Sequence, residues 1–382
     1  MVVFSSLHRA FFTNLSFVRR NISSAVGATP PSSSAVGFTP QTITSQPSRP
    51  AVLNVIKQPL ESSSTSIHTS PLYPMEDSAS FSSNYPREDR DFFYDMSHKG
   101  FTLVGVIDGH SGHRAAETVK VELPLRVMES LESNLSGIES VLTSAYIDTD
   151  KSLLKRADKD RSWAGQGACT LTAVITDKSI IVANAGDCGA LLISEDSDPR
   201  WLNNFHNAAN PIEKERLLRD HPDEHDAVEC IPTRRAIDSP FAEGGTMNYV
   251  CYTKGLLQPT RALGDFYLKE KRFAPNNVHN FNPPYLTGEP EIVSINRDKS
   301  QKFLVLATDG LWELFSAKEV QRMVLESAES GDQAIAKVLV DKALTKVANE
   351  HRMRLEHLKH KPDEASARDL VDDLTISVVR LS

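Results

Sequence analysis

Cysteine is scarce: there are four in 382 residues, Cys169, Cys188, Cys230 and Cys251, and no Cys-x-x-Cys pair among them. That spacing offers neither a zinc-ligand set nor a disulfide framework, and it reads as reduced, structural thiols. Basic charge is also short. The formal net charge is −8, and no basic stripe interleaved with aromatic residues runs through the chain, which argues against a nucleic-acid-binding surface. No apolar run reaches the ~18 residues of a bilayer-spanning helix. A Walker loop, a Gly-x-Ser-x-Gly elbow and a Cys-x5-Arg phosphate cradle are all missing, which disfavours a kinase, a serine hydrolase and a cysteine phosphatase. Acidic residues are absent from the start of the chain, where the first carboxylate is Glu61.

That acid-free start carries Arg9, Arg19, Arg20, Arg49 and Lys57, with Leu7, Phe11, Leu15 and Val18 at helical spacing. His8, Arg9 and Asn14 interrupt the apolar centre that a secretory signal needs. The profile is that of an organelle-import peptide, so residues 1–25 are expected to be a mitochondrial presequence. Residues 26–71, rich in Ser, Thr and Pro, are read as an unstructured linker. The remainder, 72–382, is left for a folded domain, and a 40% hydrophobic content is enough for a large core.

Within that domain the run "FTLVGVIDGHSG" (101–112) reads as a buried strand stopped abruptly by glycines. It delivers Asp108 at its end, Gly109 lets backbone approach whatever that carboxylate binds, and His110 stands beside it. The pattern recurs. "FLVLATDG" ends in Asp309-Gly310, and "VDDLTISVV" places Asp372 at the start of another strand. Helices are expected over 113–121 and 123–135, the second with Pro124 in its first turn, and over 138–157. Strands at 168–176, 179–187 and 189–194 are separated by Asp177-Lys178 and Asp187-Cys188, which suggests consecutive antiparallel hairpins. Residues 195–250 look irregular apart from a short helix near 211–218. Ser316 and Glu319 form a capping box for a helix over 317–327, another helix spans about 332–353, and a strand over 374–380 closes the chain. The class is α+β with an antiparallel core.

Carboxylates from several strand ends, without soft ligands beside them, suit Mg²⁺ or Mn²⁺ rather than zinc. Such ions acidify water and neutralise charge around phosphorus, and His110 is placed to protonate a leaving alkoxide. Metal-assisted phosphoester hydrolysis follows from these residue types. Elsewhere, Arg261 and Asp265 are read as a structural ion pair, His206, His221 and His225 as surface residues, and Trp312 as a core aromatic beneath the Asp309 turn.

Seven segments in order, "REDRD", "VGVIDGHSGHRAAE", "GACTLTAV", "VANAGDCGALL", "PTRALGDF", "LVLATDGLWE" and "VDDLTISVV", resemble the metal-dependent type 2C Ser/Thr protein phosphatases over about 85–382. The resemblance implies a central sandwich of two antiparallel β-sheets flanked by α-helices on both sides, with two Mn²⁺ or Mg²⁺ ions at one end. By motif position Asp108 would bridge both ions, the Gly109 carbonyl would bind one, and Asp309 and Asp372 the other. Glu88 and Asp89 would hold metal-bound waters, His110 would be the general acid, and Asp187 with Asp309 would take a third, looser ion. Glu76-Asp77 imitates the acidic pair but lies too far from Asp108. Further stretches, "NYPREDR", "LNNFHNAANPIEKERLLRDHP", "LQPTRALGDFYLK" and "PPYLTGEPEI", are similar to the pyruvate dehydrogenase phosphatase branch. The implied partner is then the phosphorylated pyruvate dehydrogenase complex in the mitochondrial matrix, and Asn84 stands where most of the family has a phosphate-binding Arg. Cys188-Gly189 replaces a usual Ser-Arg, Phe205 stands where an acid is common, and 350–366 matches no family segment. A phosphatase for another mitochondrial phosphoprotein and a dead scaffold are the rival readings.

Overall fold

The computed structural model of the chain describes residues 75–83, 86–132, 135–238, 246–276, 280–360 and 370–382. The presequence and linker expected over 1–71 lie outside the described residues, as does Asn84. The strands and main helices run, in chain order, β1 (Met75–Phe81), β2 (Arg90–Met96), β3 (Phe101–His110), α1 (Arg114–Leu131) and α2 (Ile138–Lys159). They continue with β4 (Gly167–Thr176), β5 (Ser179–Ala185), β6 (Gly189–Ser194), β7 (Arg200–Trp201), α3 (Pro211–Asp220), β8 (Val228–Asp238), β9 (Thr246–Thr253) and β10 (Leu263–Gly264). Last come β11 (Glu291–Asn296), β12 (Gln301–Ala307), α4 (Ala317–Glu329), α5 (Ile335–Glu350) and β13 (Leu374–Arg380).

Strand β3 shows why the core has four layers. Its side chains alternate, and both faces are apolar because both are covered. Phe101, Leu103 and Ile107 pack with Val119 and Leu123 of α1 and Leu142 and Tyr146 of α2. Val104 and Val106 face the other way, onto Leu192, Leu304, Leu306 and Val379. One sheet therefore has the order β11-β5-β4-β3-β2, with β10 beside β4, and the other β1-β13-β12-β6-β7. All these pairs are antiparallel. Val320, Val324, Leu339 and Ala343 of α4 and α5 cover the outer face of the second sheet at Val305 and Ile376. Each fully buried aliphatic side chain contributes about 1.5–3 kcal/mol. The result is the expected sandwich of two antiparallel sheets between helix layers.

Several expectations are corrected. Residues 114–131 form one helix with Pro124 inside it, not two. A mid-helix proline costs about 3 kcal/mol, but the buried side chains of Leu123, Pro124 and Val127 hold α1 on the sheet. Only the first of the two hairpins forms. β5 lies in one sheet and β6 in the other, so the Asp187 turn crosses between sheets. Apolar runs on either side of a turn do not say which neighbour each strand will choose. The segment 195–250 holds a second antiparallel ladder, β8 with β9, in which Cys230 faces Cys251 and the two are joined as a disulfide. Only Cys169 and Cys188 are free thiols, both buried.

Candidate metal centre and active site

The sandwich brings its carboxylates to one end. β3 ends with Asp108, half-buried, paired in register with Cys169 of β4. β12 runs into Thr308 and then the helical turn Asp309–Trp312, which starts on Asp309. The crossover after β5 supplies Asp187. Oxygens of Asp108, Asp187 and Asp309 all lie within 4.8 Å of one another. Asp372, exposed just before β13, stands outside that trio, yet its charge raises the pKa values of Asp108, Asp309 and Asp89. Trp312 is buried beneath the turn, as expected, and donates its Nε1–H to the Ala307 carbonyl at 3.0 Å.

Glu88 and Asp89 precede β2 and are both buried. Glu88 Oε1 accepts from the Gly112 amide at 2.5 Å, and Asp89 Oδ2 accepts from the Thr308 hydroxyl at 2.9 Å. Glu76 and Asp77 are used elsewhere. Glu76 accepts from Ser377, with burial pushing its carboxyl up to about 7, while Asp77 accepts from the Ala336 amide. Gly109 has a steric role beyond the expected one: a side chain there would strike the Glu88 carbonyl and Ala116.

Electrostatically the cluster is strained. Burial first, and then mutual repulsion, holds the carboxyls of Asp108 and Asp309 well above the usual range. Asp89 is raised by burial and by Asp373 and Asp372. Asp187 is raised by burial despite a hydrogen bond with the Cys169 thiol. Burial and these same carboxylates push the Cys169 and Cys188 thiols up, so both stay protonated and offer no thiolate. What remains is a set of hard oxygen donors whose repulsion a divalent cation relieves, and the donor set fits Mg²⁺ or Mn²⁺.

His110 lies beside the cluster, with its Nε2 within hydrogen-bond distance of Asp265 Oδ2 at 2.7 Å. Burial lowers its pKa, but Asp265, Asp187 and Glu88 outweigh that and hold the imidazole above its ordinary value. Two sequence readings fail here. Asp265 pairs with His110, and Arg261 pairs with Glu213 at 2.6 Å, so no Arg261–Asp265 ion pair forms. His206 and His221 are buried and only His225 is exposed. His206 lies 3.5 Å from Glu291 and 3.3 Å from Asn184, and His221 meets the Pro284 carbonyl at 3.1 Å.

Asp373 and Thr308 stood out in no sequence motif. Asp373 is buried and accepts from the Ser83 amide at 2.7 Å and the Glu88 amide at 3.2 Å, tying both ends of the loop before β2. Thr308 bridges Asp89 to the Thr375 amide. A polar residue adjoining each motif carboxylate was the available signal.

A sandwich with hard oxygen donors gathered at one end is a setting for metal-assisted phosphoester hydrolysis, and the comparisons give the family. The family model "Protein phosphatase 2C" matches residues 75–351. The chain is 32% identical over 299 residues to "Probable protein phosphatase 2C 78" of Oryza sativa subsp. japonica, covering 73% of this chain and 70% of that protein. To "Probable protein phosphatase 2C 38" of Arabidopsis thaliana it is 30% identical, covering 73% and 72%. The serine-threonine phosphatase 2C of Toxoplasma gondii shares the fold with a TM-score of 0.57 at 20% identity, over 80% of this chain and 94% of that one. A C. elegans sex determining protein also superposes with a TM-score of 0.57, at 18% identity over 82% and 66%. The chain belongs to the protein phosphatase 2C family and is a metal-dependent protein serine/threonine phosphatase.

Proposed function

We propose that Asp108, the Gly109 carbonyl, Asp309 and Asp372 hold two divalent cations, with Glu88 and Asp89 ordering the waters around them. Asp187 with Asp309 takes a third. When bound, Mn²⁺ or Mg²⁺ supplies Lewis acidity toward water and phosphoryl oxygens. The protein's own groups do the rest. The strand ends fix the carboxylates, Asp373 and Thr308 hold Glu88 and Asp89 in place, and His110 carries a proton for the leaving serine or threonine oxygen. Asn84 serves the substrate phosphate. The observation that carries this reading is the convergence of Asp108, Asp187 and Asp309 within 4.8 Å.

For the finer function we propose a mitochondrial enzyme acting on the phosphorylated E1 component of pyruvate dehydrogenase. Support comes from the acid-free, Arg-bearing first 60 residues and from the branch-like stretches of the insertion. Those stretches form specific structure: Asn210 caps α3, and Glu213 binds Arg261 and the Thr260 hydroxyl. The rice and Arabidopsis names specify a phosphatase and no substrate.

The test is to assay purified protein with Mn²⁺ against phosphorylated E1 and a generic phosphoserine peptide, with and without excess chelator. Turnover that survives chelation overturns the metal reading. Equal kcat/KM on both substrates leaves the phosphatase and removes the E1 assignment, and no turnover on either supports the scaffold reading.

A further inference from the structure

His110 has a partner of its own, and the fold is built to hold it. Asp265 is 0% exposed and follows β10, the two-residue strand laid beside the start of β4. Gly264 pairs with Gly167, and Gly167 pairs with His110 across β3 and β4, so three strands bring Asp265 against the histidine. Its backbone sits at φ 51, the left-handed region that a non-glycine residue enters at a cost. The Asp265 amide donates to the Gln166 carbonyl at 2.9 Å and fixes the turn. Beneath it, Gly264 N–H donates to Asp150, which also binds Lys269. Gly167 leaves the space: any Cβ there would fall inside the Asp265 carboxylate and against His110 Nε2.

The carboxylate inside this frame is under-used as structure. Oδ2 lies 2.7 Å from His110 Nε2, while Oδ1 is buried with no hydrogen-bond partner among the described residues. A buried carboxylate oxygen left unpaired is destabilising. A residue kept only for stability would not be held in a strained backbone with half its carboxylate unsatisfied. Arg261, the nearest cation in the motif, is committed to Glu213.

We infer that Asp265 is the positioning residue of this reaction. It holds the His110 ring by Nε2–H, which fixes the ring's orientation and leaves Nδ1 as the nitrogen that serves the leaving oxygen. The inference rests on the acid role proposed for His110. In that step the phosphorus–oxygen bond breaks with its electron pair going to the serine oxygen. That oxygen takes the proton from Nδ1, whose bonding pair stays on the ring, and Nε2–H remains on Asp265. A carboxylate that orients an imidazole in this way raises the rate without touching substrate.

The experiment compares Asp265→Asn, His110→Gln and the double variant, all full-length and Mn²⁺-saturated, on a phosphoserine peptide and on p-nitrophenyl phosphate. Nitrophenolate leaves without help, so only the peptide needs the proton. Asp265→Asn is expected to lower kcat on the peptide about 10–100-fold, part of the ~10²–10⁴ that general acid catalysis supplies. On p-nitrophenyl phosphate the loss stays below about threefold, KM is unchanged on both, and the change adds nothing in the His110→Gln background. Equal losses on both substrates, or full additivity in the double variant, overturn the inference. Equal losses in His110→Gln alone overturn the acid reading itself, and this is seen before Asp265 is changed. A second measurement needs no Asp265 variant. ¹⁵N-imidazole spectra of the Mg²⁺-loaded protein, with the His110 signal assigned by its loss in His110→Gln, should show the proton of the neutral ring on Nε2. A proton on Nδ1 sinks the proposal even if Asp265→Asn does not fold.

Discussion

Replacing Asp309 by Asn should have opposite effects on stability in two buffers. Its carboxylate lies within 4.8 Å of both Asp108 and Asp187, and Glu313, Asp372 and Asp89 add to the same negative field. At an effective dielectric of ~20, two unit charges about 4.8 Å apart repel by about 3.5 kcal/mol. Protonation within the cluster and the half-exposed positions of Asp108 and Asp309 relieve much of this, so about 1–2 kcal/mol is a reasonable remainder. For a domain of this size that amounts to roughly 2–5 °C. In excess chelator Asp309→Asn should therefore melt higher than the wild type, although it adds no contact. With millimolar Mn²⁺ the order should reverse. A cation that binds only the native state stabilises it by RT ln(1 + [L]/Kd), about 2.7 kcal/mol at a hundredfold excess over Kd, and the variant loses most of that. Its turnover should fall by orders of magnitude. Differential scanning fluorimetry in the two buffers reads the crossing directly. If the variant melts lower in chelator as well as in Mn²⁺, the carboxylates are not held together against their repulsion, and the electrostatic account of the site is wrong.

How much of this was legible before the structure depends on whether the signal was local. Strand β3 was readable because its apolar run and its Asp-Gly-His stop are contiguous, and the same holds for β12 and β13. The capping box at Ser316 and Glu319 is a four-residue signal and was found in place. Pairings between distant segments were not legible. Nothing in the run through Asp187 says that β5 and β6 belong to different sheets, yet that crossing brings Asp187 to Asp108 and Asp309. The Cys230–Cys251 bond depends on the β8–β9 register, which an irregular polar composition concealed. The partners of Arg261 and Asp265 were misassigned for a related reason. Proximity in sequence favoured pairing them with each other, whereas α3 carries Glu213 to Arg261 and the β10–β4–β3 ladder carries Asp265 to His110. Charge type was readable, but choice of partner was decided by the fold.

Three other outcomes are expected. Residues 1–60 fused to a fluorescent reporter should reach mitochondria, and changing Arg9, Arg19 and Arg20 to Glu should prevent it; a diffuse signal from the unmodified fusion removes the import reading. Lys254 has a fully buried side chain that donates to Glu224 at 2.8 Å, Asp226 at 2.7 Å and the Asn280 carbonyl at 3.0 Å. Lys254→Met should cost about 3–5 kcal/mol in urea denaturation, and adding Glu224→Gln should recover part of the loss, whereas strictly additive losses would show that the pair is not coupled. The last concerns acid. Burial pushes the Glu213 carboxyl up, but the Arg261 hydrogen bond and the Arg261 and Arg216 charges outweigh it and bring it from 4.5 to about 2. A carboxyl lowered on folding contributes stability above its unfolded pKa, and that contribution fades as pH falls from there through the folded value. The shift corresponds to about 3 kcal/mol. Glu213→Gln should therefore be less stable than the wild type by about that amount at neutral pH, and the two should converge between pH ~4.5 and ~2. Urea midpoints across that window isolate the one group, because every other carboxylate titrates in both proteins. Parallel curves would mean that the two arginines find equal partners without Glu213, and that its buried ion pair does not hold α3 to the Arg261 turn.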